Sequence, residues 1–113
     1  MLQHGDVRWY RFRAPDKTRP VLILTRSSAI DFLAEITIAP ITSTVHGTPS
    51  EVILTGMDGM PRDCAVNLDH LQTVPKGRIG ATITTLGQER MSAIRAALLF
   101  AIGFDREPGG RVS

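Results

Sequence analysis

Arg19 and the hydroxyl pair Thr42-Ser43 carry the chemistry that can be read from this sequence. Arg19 opens the strand-like run Arg19-Pro20-Val21-Leu22-Ile23-Leu24-Thr25, and the hydroxyls close a second run, Ala39-Pro40-Ile41-Thr42-Ser43. A guanidinium stays protonated at any physiological pH and its planar fork fits phosphate oxygens, so beside a hydroxyl it suits a phosphodiester better than a carbonyl. Thr44 and His46 follow in a polar loop, where an imidazole could assist proton transfer or touch a phosphate. Arg8, Arg11, Arg13 and Lys17 precede Arg19, and Asp6 and Asp16 are the only acids among residues 1–30. That crowding marks a candidate phosphate-facing edge.

Other chemistries find less support. Cys64 is the only cysteine, so one chain can form neither an internal disulfide nor a thiolate metal cage, and a small buried apolar role is expected for it. His4, His46 and His70 have no partner at helical spacing, and Asp63, Asn67 and Asp69 alternate along a strand, which suits turn or solvent roles. No metal and no cofactor is expected. The chain lacks a phosphate-binding Walker loop, a dinucleotide glycine fingerprint, a nucleophile elbow and a His-Glu-x-x-His pair. Trp9 and Tyr10 are adjacent and would face opposite ways on a strand, so at most one can stack on a base. Core packing is the leading expectation for each.

These groups need a scaffold. With 113 residues, 42% hydrophobic and 21% charged, the chain suits one compact domain with one core. Its net charge of +2 is compatible with an anionic partner. Residues 6–13 read as a strand, 14–18 as a turn, and 20–25 as a strand covered on both faces, the first two strands forming a hairpin. A third strand runs through Ile36, Thr37, Ile38 and Ile41, where Pro40 predicts an edge or bulge. Glu51 to Leu54 and segments near 63–68, 70–74 and 78–84 complete six or seven strands, the rhythm of a small barrel. Met91, Ile94, Leu98, Ala101 and Ile102 then form one apolar helical face that starts near Thr85 or Gly87 and ends at Gly103. Residues 1–104 are expected to be the barrel domain and 105–113 a flexible tail. No apolar run approaches the roughly 20 residues that span a bilayer, and the first residues lack the pattern of a secretory signal, so a cytoplasmic location is expected.

The order of motifs resembles the MazF/PemK toxin family: Gly5-Asp6-Val7, Arg19-Pro20-Val21-Leu22-Ile23-Leu24, Ala39-Pro40-Ile41-Thr42-Ser43, Pro49-Ser50-Glu51-Val52-Ile53-Leu54 and the segment from Asp63 to Leu71. The resemblance runs from Gly5 to about Phe104. It implies a mainly β fold, a small SH3-like barrel (MazF/CcdB-like) with a C-terminal helix, assembled as a homodimer. It also implies the toxin of a type II toxin–antitoxin system, a metal-independent, sequence-specific endoribonuclease. Its substrate would be single-stranded RNA, mRNA above all, with rRNA or tRNA as further targets. The family's catalytic pair falls on Arg19 and Thr42, with Ser43 as a backup hydroxyl. Attack by the ribose 2′-OH would leave a 2′,3′-cyclic phosphate and a 5′-OH. The cognate antitoxin is the expected protein partner.

One departure is plain. Many family members carry a longer Gly-Ser-Glu-rich first loop, and here Ala14-Pro15-Asp16-Lys17-Thr18 takes its place, leaving Asp16 as the substitute acid. The resemblance supplies no general base, because an arginine is a poor proton acceptor near pH 7. Two rival readings stay open: a gyrase-poison-like toxin of the same fold that binds protein, and a non-catalytic SH3-like nucleic-acid-binding module.

Overall fold

The computed structural model describes residues 1–13 and 17–106. Asp16 and the last seven residues of the expected tail therefore lie outside the described residues. Seven strands and two α-helices follow in the order β1 (Asp6–Arg11), β2 (Thr18–Ile23), α1 (Ser27–Ile30), β3 (Glu35–Thr42), β4 (Glu51–Leu54), β5 (Cys64–Asn67), β6 (Gln72–Pro75), β7 (Ile79–Thr85) and α2 (Gln88–Ala101). They form one curled, half-barrel sheet with strand order β4-β5-β3-β2-β1-β7, and β6 pairs with β3 off that path. The mainly β architecture with a closing helix agrees with the sequence.

β1 and β2 make the expected hairpin, with Val7 opposite Leu22 and Tyr10 opposite Arg19. β2 is covered on both faces. Leu22 enters a core shared with Val7, Ile41, Leu54, Val66 and Ile94 of α2, while Val21 and Ile23 point into a second core with Tyr10, Ile30, Ile36, Ile38 and Val74. Val21, Leu22 and Ile23 are all fully buried, which explains a continuous rather than alternating apolar run. Each such side chain contributes on the order of 1.5–3 kcal/mol of transfer free energy.

Pro40 does not put β3 at an edge. β3 lies inside the sheet, pairing with β2 along one side and, along the other, with β6 over Glu35–Ile38 and then β5 over Ile41 and Thr42. Residues 39 and 40 fall where the second side changes partner. A residue without an N–H is tolerated there because no ladder on that side reaches it.

The helical face also differs in one place. Ile94 and Ala97 are buried and Met91, Leu98 and Ala101 pack against the core, but Ile102 lies past the end of α2 and is half exposed. Gly103, at φ 84°, ends the turn in the left-handed region. Among the described residues no helix is long and apolar enough to cross a membrane.

Candidate active site

The register between β2 and β3 sets Val21 opposite Pro40, Leu22 opposite Ala39 and Ile23 opposite Ile38. Carried two residues further, the same register brings Arg19 level with Thr42. Two-residue steps keep a side chain on one face, so both point the same way as Val21 and Pro40. Arg19, Thr42 and Ser43 line one cavity of about 440 Å³, together with Trp9, Met60, Pro61, Arg62 and Cys64. Arg19 and Arg62 are both lining residues, and among the described residues no Asp, Glu or His lines the cavity.

Local hydrogen bonds orient the hydroxyl. The backbone N–H of Thr44 donates to Thr42 Oγ1 over 3.1 Å, which leaves the hydroxyl proton of Thr42 to donate elsewhere. Cys64 is buried, with Sγ 3.9 Å from the Leu54 carbonyl oxygen. Burial, then the charges of Asp63 and Asp58, push its thiol above the usual range, so it stays protonated at neutral pH.

The remaining sequence candidates are spread out. Arg8 faces away from Trp9, donates from Nε to the Gly80 carbonyl at 2.8 Å and from Nη1 to the buried Asp6 at 3.1 Å, and so serves the join of β1 to β7. Arg11, Arg13 and Lys17 are exposed around the β1–β2 turn and do not line the cavity. The His46 ring stays in solvent, while its N–H and that of Gly47 donate to Glu51 Oε1 at 2.9 and 2.8 Å. Trp9 is 37% exposed on the cavity wall, whereas Tyr10 is buried against Phe12 and beneath Arg78. Arg62 was missed altogether. It follows a proline in a turn, and neither periodicity nor spacing singles out such a residue.

A larger cavity of about 590 Å³ lies at the start of α2, but Asp58, Thr84, Thr85 and Arg90 on its wall are occupied. Arg90 Nε pairs with Asp58 at 2.9 Å, Thr84 donates to the Asp58 carbonyl and Thr85 to Asp6.

A family model described as "PemK-like, MazF-like toxin of type II toxin-antitoxin system" matches residues 3–102. The chain belongs to that family. The "Probable endoribonuclease MazF5" of Mycobacterium tuberculosis is 39% identical over 103 residues, spanning 90% of this chain and 94% of the relative. "Endoribonuclease MazF3" of the same species is 38% identical over 90 residues, or 80% of this chain and 87% of the relative. Among solved structures, the Mycobacterium tuberculosis toxin MazF-mt6 superposes with a TM-score of 0.82 at 33% identity, covering 89% of this chain and 99% of that one. The half-barrel with its closing helix is thus the fold of MazF toxins.

Proposed function

We propose that this toxin-family chain is a metal-independent endoribonuclease that cuts single-stranded RNA in the cytoplasm, with Arg19 and Thr42 as its catalytic residues. The observation that carries the reading is the shared groove, which Arg19 and Thr42 line from adjacent strand ends with no carboxylate among its described lining residues to repel a phosphate. Relatives named endoribonucleases favour cleavage over the gyrase-poison-like and purely binding alternatives.

In this mechanism the 2′-oxygen forms a bond to the neighbouring phosphorus and the bond to the 5′-oxygen breaks. The proton leaves the 2′-OH and one is gained by the departing 5′-oxygen, so the products are a 2′,3′-cyclic phosphate and a 5′-OH. Arg19 holds the nonbridging oxygens as charge builds on them, and the Thr42 hydroxyl donates to the same phosphate. Because the nucleophile belongs to the substrate, alignment and charge stabilisation are the enzyme's main contributions, and a metal is not required for either.

The toxin's partner would be its cognate antitoxin, an acidic and initially disordered segment lying over the groove and displacing RNA. The active form would be a homodimer. A mixed RNA pool treated with purified protein in chelator is the test. Cuts ending in cyclic phosphate are expected, and an RNA with one 2′-deoxy nucleotide 5′ of the scissile phosphate should bind and stay whole. Cutting of the deoxy substrate would remove the mechanism.

A further inference from the structure

Three arginines on or beside the sheet are bound within the fold. Arg8 is held by Asp6, Arg90 by Asp58, and Arg78 donates to the Arg11 carbonyl while lying 5.7 Å over the Tyr10 ring. Arg62 differs. It is exposed, lines the Arg19 groove and makes no ion pair or hydrogen bond among the described residues. Asp63, its neighbour in the chain, is exposed but stands off the groove wall.

The strand order explains how Arg62 arrives. β3 lies between β2 and β5, with Thr42 opposite Ala65 on the β5 side and, by the continued register, level with Arg19 on the β2 side. Arg62 stands just before β5. Arg19 and Arg62 therefore line one cavity with Thr42 and Ser43, reaching it from the β2 and β5 sides of β3.

A capped turn leads into Arg62. Thr55 and Asp58 cap a single 3-10 turn at Gly56–Asp58, with Thr55 N–H donating to Asp58 at 2.9 Å and Met57 N–H donating to the Thr55 hydroxyl at 3.2 Å. Gly59 then takes φ 90°, Met60 is buried and Pro61 restricts the backbone. A long cation without a partner among the described residues, lining a groove with no carboxylate among its described lining residues, is arranged for an anion brought by the substrate.

We infer that Arg62 holds a second phosphate of the bound RNA, one neighbouring the phosphate on Arg19, and so fixes the strand across the groove before cleavage. This rests on the ribonuclease reading above. Arg62 is a binding residue: it stays on its phosphate in both the ground and transition states, so it acts on KM and leaves kcat nearly alone.

The test compares the parent protein with Arg62→Ala, Arg62→Lys and, as a control cation outside the groove, Arg95→Ala. Binding is measured on a 2′-deoxy-blocked RNA from low to moderate salt, and cleavage on the matching all-ribose RNA. Loss of one phosphate contact should lower the slope of log K against log[salt] by about 0.7 for Arg62→Ala. KM should rise roughly tenfold with kcat within about twofold. Arg62→Lys should keep the parent salt slope, and Arg95→Ala should match the parent throughout. An Arg62→Ala protein with the parent's salt slope and KM overturns the inference, as does a loss confined to kcat. The binding arm reads Arg62 whether or not the chain cuts, so a parent that binds RNA but leaves it whole refutes the ribonuclease reading separately.

Discussion

At the scale of single residues, Arg19 carries the heaviest expectation. Removing one preorganised donor from the developing phosphorane charge costs on the order of 3–4 kcal/mol, so Arg19→Ala should slow single-turnover cleavage by roughly a hundredfold or more. Arg19→Lys should restore little, since an ammonium cannot make the two-pronged contact. Thr42→Val keeps the volume and removes the hydroxyl, and should slow the same step while the fold stays intact. Near-parent rates in a folded Arg19→Ala protein would sink the assignment. Trp9 supplies an independent probe. It is the chain's one tryptophan and sits 37% exposed on the groove wall, so stacking of a base should change its fluorescence as blocked RNA is titrated in. Trp9→Ala should weaken that binding by about 1–3 kcal/mol, and emission indifferent to saturating RNA would take Trp9 out of the binding surface.

At the scale of elements, the turn before β5 is held by contacts to β7 and α2. A Cβ on Gly59 would stand 2.5 Å from Thr84 Oγ1 and 2.9 Å from Thr84 Cβ, on a backbone already at φ 90°. Thr84 has little freedom to yield, because its hydroxyl donates to the Asp58 carbonyl at 2.9 Å. Gly59→Ala is expected to cost about 2–4 kcal/mol, the left-handed strain plus the clash, read as a lower urea midpoint. Gly47→Ala is the control. Gly47 has φ 75° but open space around it, so only the strain of about 1–2 kcal/mol applies.

Asp58 adds a pH dependence to the same turn. Burial by itself would raise its carboxyl, but hydrogen bonds from Arg90 and the Thr55 N–H, with the Arg90 charge, hold it below the ordinary carboxylate value. A group depressed on folding contributes stability above its unfolded value, roughly 3.9, and loses that contribution as pH falls through the lower folded value. Acid unfolding of the parent should therefore steepen below about pH 4, and Asp58→Asn should be less stable at neutral pH with a shallower acid limb. Identical acid limbs in the two proteins would show that Asp58 is not the group responsible.

At the scale of the whole molecule, apolar surface is left uncovered. Phe100, Ile102 and Phe104 are exposed toward the end of α2, and Ile53 is exposed on the edge strand β4 beside Phe100. A small curled sheet with one helix leaves this surface for another chain to cover, so a homodimer is expected in light scattering across a dilution series. A persistent monomer that cleaves RNA at full rate would remove the dimer from the functional account.

The elements and the chemical types at their ends are legible in the linear order of residues. β-branched runs, turn residues and helical spacing are local signals, which is why the seven strands, the fully covered β2 and α2 were legible, and why the order of motifs pointed to the family. What the sequence left open is non-local. Pro40 lacks a donor and so predicts an edge or bulge, yet its place inside β3 is possible only because β6 gives way to β5 there. Arg8 looked like a phosphate ligand among other arginines until folding set it beside the Gly80 carbonyl, 72 residues away, and the buried Asp6. Arg62 carried no signal in its turn and gained a role only when β3 paired with β2 on one side and β5 on the other. An arginine's charge is written in the sequence, but whether that charge meets a carbonyl, a carboxylate or an open groove depends on which distant strands pair.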